Sequence, residues 1–187
     1  MAKIRTFIAL ELPPELKLAL ASLQGNLRSR TDCVRWVKPE HIHLTLKFLG
    51  PTEEGLVEPV GRILANLAQG VSPFRTQIAG LGAFPNSRNP KVIWIGMPGE
   101  QAILLKFQQQ LEDALAPVGF AKEKRSFAPH LTLGRIKEGK GKKELEQLIT
   151  EYQNKDLGNF AADTLILFRS DLHPGGPVYS SLKTIKL

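Results

Sequence analysis

The sequence predicts an α+β fold: two pseudo-symmetric lobes, each a mostly antiparallel sheet with helices packed outside, and an active-site cleft between them. Three observations carry this expectation. The tetrapeptide His43-Leu44-Thr45-Leu46 recurs unchanged as His130-Leu131-Thr132-Leu133, 87 residues later in a chain of 187. An offset of 86 relates Thr6-Phe7-Ile8-Ala9 to Val92-Ile93-Trp94-Ile95, Phe74 to Phe160 and Val92 to Val178. Stretches of period two alternate with stretches of period 3.6 in the same order in both halves. A constant offset over several elements implies two copies of one β-α-β-α-β unit, about residues 1–98 and 99–187. With no linker between them, the copies should form a single domain spanning 1–187.

In chain order, Ile4 to Leu12 alternates as a strand, and Pro13-Pro14 opens a helix where proline is tolerated. Leu16, Leu20, Leu23 and Leu27 give that helix an apolar stripe fading near Ser29. Val34 to Val37 reads as a short strand before Pro39. His43 to Leu49 has the alternation of a strand, stopped by Gly50-Pro51. Thr52 then serves as N-cap, with Glu53 and Glu54 in the first turn, of a helix to about Ala68. Phe74 to Leu81 and Lys91 to Gly96 are strands joined by the turn-rich Ala83 to Pro90. In the second half, Pro98-Gly99-Glu100 opens a helix striped by Ile103, Leu104, Phe107, Leu111 and Leu115 and ended by Pro117. The second motif follows, then a lysine-rich loop, a helix from about Lys143 to Tyr152, a strand from Phe160 to Phe168 and a closing strand from Val178 to Ile185.

The repeated tetrapeptide is where chemistry is expected. Side chains at i and i+2 of a strand share a face roughly 7 Å apart, so histidine and threonine point one way and both leucines the other. A neutral imidazole takes a proton and an imidazolium gives one near neutral pH, while a hydroxyl donates to an anionic oxygen. Two such units facing across a cleft make an acid/base pair around an anion, suited to displacement at phosphorus. One activates the attacking oxygen and the other protonates the departing one, with no metal required.

Composition sets the outer bounds. One cysteine, Cys33, excludes an intrachain disulfide framework and a multi-cysteine zinc site. No stretch approaches the roughly twenty apolar residues of a membrane span, and the N-terminal apolar run is cut by Glu11 and Pro13 before it could serve as a signal peptide. The expectation is a soluble, cytoplasmic protein. A formal net charge of +7 favours phosphate-rich partners without specifying them.

With these residues in view, the chain resembles the two-histidine phosphoesterase superfamily, and within it the RNA 2′,3′-cyclic phosphodiesterases, also called 2′-5′ RNA ligases. The resemblance rests on Arg5 to Leu10, on Trp36 followed by His43 to Gly50, and on Gly80 to Pro85. It continues through Arg125 to Arg135 and the tail Gly176-Pro177-Val178-Tyr179. It implies hydrolysis of a terminal 2′,3′-cyclic phosphate on RNA to a 2′-phosphate, with no cofactor and no obligate protein partner, tRNA fragments being one candidate substrate. It assigns His43 as the proton donor to the leaving 3′-oxygen and His130 as the base. Thr45, Thr132 and Arg135 would bind phosphoryl oxygens. The reverse reaction would join RNA ends through a 2′-5′ bond.

Other residues are candidates of a second rank. Phe48, Lys47 and Tyr179 could contact base or phosphate, Lys47 only if its strand stays regular, and Trp36 is better suited to packing. Lys137, Lys140, Lys142 and Lys143 form a basic loop that could follow a phosphate backbone. His41-Ile42-His43 has the spacing of two metal ligands, but the repeat duplicates histidine with threonine, not histidine with histidine, and Glu40 is the only acid near either motif. Two other functions stay open: action on a small cyclic phosphate such as an ADP-ribose derivative, and RNA binding without turnover.

Overall fold

The computed structural model describes residues 2–99, 101–137, 142–174 and 176–187. Of the residues singled out above, Glu100 and Lys140 lie outside the described residues.

The first unit runs β1 (Lys3–Leu10), α1 (Pro14–Arg28), β2 (Val34–Trp36), β3 (Leu44–Glu53), α2 (Val57–Ala68) and β4 (Phe74–Phe84). The second runs β5 (Val92–Gly96), α3 (Ala102–Leu115), β6 (His130–Ile136), α4 (Lys142–Tyr152), β7 (Asp156–Ala162), β8 (Thr164–His173) and β9 (Gly176–Lys186). All ladders are antiparallel, in two sheets of order β3-β1-β8-β9 and β2-β6-β5-β4-β7. The helices follow from their apolar spacing: α1 buries Leu16, Leu20, Leu23 and Leu27, and α3 buries Leu104, Phe107, Leu111 and Leu115. Ile103, expected on that stripe, is exposed. One contiguous cluster of buried apolar side chains runs from Ile8 and Leu44 in one sheet to Ile93 and Leu131 in the other.

The lobes are not the two halves of the chain. A strand of each unit crosses over: β4 pairs with β5 in the second sheet, and β8 pairs with β1 in the first. The pattern β3-β1-β8 thus repeats as β6-β5-β4, an exchange that the offset alone does not reveal. The expected strand from Phe160 to Phe168 is divided at Asp163, its beginning lying in β7 of one sheet and its end in β8 of the other. The closing strand β9 takes the edge beside β8, a place filled by β7 in the second sheet, so the offset between Val178 and Val92 has no positional counterpart.

Gly50-Pro51 does not end β3. The strand lies on the edge of its sheet, where a proline without an N–H is tolerated, and it continues to Glu53. Thr52 is therefore no helix cap: it is buried, its hydroxyl 2.7 Å from that of Thr6 on β1, and the helix waits until Val57.

A bulge shifts β3 against β1, with Ile8 opposite Lys47 but Ala9 opposite Thr45. This overturns the placing of Lys47 on the histidine face. Lys47 is 2% exposed and its ammonium is paired with Glu112 of α3 and donates to the Ala121 carbonyl at 2.8 Å. Glu112 also accepts from Gln108 and from the Glu123 backbone. Removing one member of a dry ion pair strands the other, at a cost of about 3–5 kcal/mol. Glu112→Ala should lose that much in urea unfolding, and Lys47→Met combined with Glu112→Met should recover part of it. A single variant within about 1 kcal/mol of wild type would mean that the pair is hydrated.

Candidate active site

His43 immediately precedes β3, after a short 3-10 turn at Pro39–His41, and His130 opens β6. The chain itself links the two strands. β2 pairs with β6, Trp36 opposite Gly134, and the Val37 N–H donates to the Leu133 carbonyl; six residues after Val37 the chain reaches His43 in the other sheet. β3 and β6 approach within 8 Å, Cα to Cα.

Each imidazole lies on aromatic rings carried by the neighbouring strands. His43 stacks on Phe7 of β1 at 4.7 Å between ring centroids and 25° between planes, with Phe168 of β8 at 5.8 Å and the edge of Tyr179 of β9 at 5.4 Å. His130 meets Phe84 of β4 edge-on at 4.9 Å and Trp94 of β5 at 6.3 Å. Gly82, opposite Trp94 on the ladder, makes that second platform possible: a Cβ there would sit 2.2 Å from the indole. The rings are anchored alike. His130 Nδ1 donates to the Ala128 carbonyl at 2.7 Å, and His43 is hydrogen-bonded to the backbone of His41, in each case two residues back. With Nδ1 committed as donor, Nε2 of a neutral His130 is left as an acceptor.

Burial among these rings disfavours the imidazolium of both. It pulls His43 down to about 4, against a raising contribution from the His41 backbone and with further lowering by the charges of His41 and Lys17. His130, with fewer rings around it, is lowered by burial as well, offset by its bond to Ala128.

Thr45 and Thr132 share the histidine face of their strands, two residues on. β6 carries a bulge of its own, Ile93 facing Gly134 and Trp94 facing Thr132, so Arg135 returns to the histidine face just as Phe48 does on β3. Phe48 is 60% exposed, its ring 6.0 Å from Phe7. Tyr179 packs against Phe7, His41 and His43, and burial raises its pKa against the lowering fields of Arg135 and Arg5. Its phenol is thus within reach of a cation from each sheet. Trp36 packs against the core.

Some residues escaped the sequence reading. Phe7 and Phe168 look like core, and nothing in their spacing marks them as a floor under a histidine. Arg5 shares the Phe7 face of β1. Arg35 lies directly opposite Arg135 on the β2–β6 ladder, both exposed, and among the described residues neither is ion-paired. Like charges so placed repel unless an anion lies between them. The repeat pointed to both histidines, but only the strand register reveals the arginine pair.

Comparison with known proteins agrees with this doubled architecture. The model of the LigT-like phosphoesterases matches twice, over residues 10–94 and 95–179. The chain belongs to this family. Among curated relatives, the RNA 2′,3′-cyclic phosphodiesterase of Methanothermobacter thermautotrophicus is 34% identical over 99% of this chain and 100% of its own length. The enzyme of the same name from Methanocaldococcus jannaschii is 35% identical over 96% and 99%. A solved structure from Thermus thermophilus superposes with a TM-score of 0.82 at 28% identity, covering 98% of this chain and 97% of that one. E. coli LigT shares the fold at a TM-score of 0.79 and 22% identity, over 99% and 98%. Among the described residues no helix of this phosphoesterase-family chain is long and apolar enough to cross a membrane, and no cluster of three or more His, Cys, Asp or Glu could hold a metal ion.

Because His43 titrates near 4 when folded and near 6.5 when unfolded, the unfolded chain takes up the proton first as pH falls. This histidine leaves stability unaffected above about pH 6.5 and destabilises the fold progressively from there to about pH 4, by at most about 3 kcal/mol. Urea midpoints of His43→Ala should therefore fall less steeply across that window than those of wild type. Equal slopes would show that His43 is not desolvated.

Proposed function

We propose that this chain hydrolyses the terminal 2′,3′-cyclic phosphate of RNA to a 2′-phosphomonoester by acid/base catalysis from His43 and His130. The observation that carries this is the pair of imidazoles presented by two different sheets, each ring anchored by the backbone two residues before it and each followed by a threonine on the same face. The names of the curated relatives point the same way.

Nε2 of His130, left as an acceptor by the bond from Nδ1 to Ala128, takes a proton from water as its oxygen attacks phosphorus. The P–O3′ bond breaks and His43 delivers a proton to the departing 3′-oxygen, leaving the phosphate on O2′. The Thr45 and Thr132 hydroxyls and the Arg135 guanidinium hold the non-bridging oxygens as charge builds on them. His43 is neutral at pH 7 in the free protein, so the phosphodiester anion itself raises its affinity for the proton that it later donates. A 5′-hydroxyl in place of water would give 2′-5′ ligation by the same steps.

Phe48 and Tyr179 supply stacking surface for the terminal base, a contact worth about 1–3 kcal/mol. The Arg35–Arg135 pair favours an RNA chain over a mononucleotide, since with Arg135 on the terminal phosphate Arg35 beside it is left to meet the next backbone phosphate.

Incubation in chelator with an oligoribonucleotide ending in a 2′,3′-cyclic phosphate should yield a 2′-phosphate, identified by its phosphorus spectrum against 2′- and 3′-phosphate standards. His43→Ala and His130→Ala should each slow the reaction at least about a hundredfold. Full activity in either variant refutes the assignment, and RNA binding with no product in wild type refutes turnover.

The same chemistry fixes a pH dependence. Both free-enzyme histidines are lowered, so kcat/KM should peak below pH 6.5 and decline above it. In the complex the anion favours the imidazolium, so the basic limb of kcat should lie at higher pH than that of kcat/KM. Coincident basic limbs would mean that substrate does not bear on the donor histidine.

A further inference from the structure

Both His-x-Thr-x strands carry a bulge at the same place. Leu46 has no partner on the β1 ladder and Leu133 none on the β5 ladder, because the register skips each of them. A bulge bends its strand and re-aims the side chains beyond it. Here it turns Phe48 and Arg135 onto the histidine face, and Lys47 and Gly134 away from it. The close approach at Gly134 leaves no room for a side chain, since a Cβ would lie 2.5 Å from Val34.

A bulged residue leaves a carbonyl outside the regular ladder, and both leucines are buried, so these carbonyls take donors from elsewhere, that of Leu133 already accepting from the Val37 N–H. Each receives one from the first helix of the opposite half. Gln24 of α1 donates through Nε2 to the Leu133 carbonyl at 2.9 Å and to the Val37 carbonyl at 2.8 Å. Gln108 of α3 donates through Nε2 to the Leu46 carbonyl at 3.4 Å and to Glu112 at 2.9 Å. Both amides are buried. Leu46 and Leu133 are the equivalent last residues of the two tetrapeptides, so the two contacts are one contact repeated by the duplication, each reaching across to the other copy.

We propose that Gln24 and Gln108 are a crossed pair of positioning residues: each holds the bulge that aims the other half's histidine strand, and together they set the facing of the two imidazoles. Neither touches the reacting atoms. The arms are unequal, because the Gln24 bonds are short while the bond from Gln108 to Leu46 is long and assisted by the Lys47–Glu112 pair, which ties the same strand to α3.

The test uses Gln24→Met and Gln108→Met, which keep side-chain length and delete the amide donor. Its kinetic arm rests on the reaction proposed above; its spectroscopic arm, titration of the histidine rings by NMR in the free protein, does not. Gln24→Met should lower kcat about tenfold with KM within about twofold, and should move the His130 titration more than that of His43. Gln108→Met should lower kcat about threefold and move His43 more. The proposal is overturned if both variants keep wild-type kcat and titrations, or if each variant perturbs chiefly the histidine of its own half. If wild type turns over no RNA end, the reaction is refuted and the ring titrations alone decide the clamp. If Gln24→Met does not fold, side-chain amide exchange in wild type decides: Gln24 must exchange far more slowly than the exposed Gln69, and equal rates overturn the proposal.

Discussion

Each imidazole of the repeated motif stands on its own aromatic surface, and in this chain the two surfaces exist because β4 and β8 change places. Without the exchange, β1 would lose the neighbour carrying Phe168 and β5 the neighbour carrying Phe84, and each histidine would lose part of the floor beneath it. The first half adds Phe84 to the floor under the second half's histidine, and the second half adds Phe168 and Tyr179 to that of the first. The same reciprocity appears in the helices, where a glutamine from each copy closes the irregular turn of the other's strand.

The two sites so built are alike in backbone and unlike in environment. Both rings are tied to the backbone two residues earlier, but among the described residues His43 sits with Phe7, Phe168 and Tyr179 whereas His130 meets Phe84 and Trp94. Dryness, more than any charged neighbour, separates their proton affinities. After each motif the paths diverge again: the position following the first bulge holds Lys47, buried against Glu112, and that following the second holds Gly134, packed close under β2. One bulge is fastened from the side by charge and the other from above by backbone contact.

Much of this was visible in the residues. An identical tetrapeptide at a fixed offset pointed to the histidines and threonines, and apolar spacing located the helices within a few residues. What failed has a common physical cause, which is that period two and period 3.6 describe regular elements only. The bulge at Leu46 inverted the face of Lys47, the edge position of β3 let Pro51 remain in a strand, and one residue at Asp163 broke a continuous apolar run between two sheets. The arginine pair at 35 and 135 was beyond reach for another reason. It depends on which strands are neighbours, and β2 with β6 is a pairing between halves that no local pattern encodes.

Among the described strands the chain passes from one sheet to the other four times: between β1 and β2, β2 and β3, β3 and β4, and β7 and β8, the last over the single residue Asp163. Two bodies stitched at so many points cannot swing like the shells of a clam. Relative motion of the two sheets would have to bend these four connections together, so the placing of one sheet on the other is set when the protein folds.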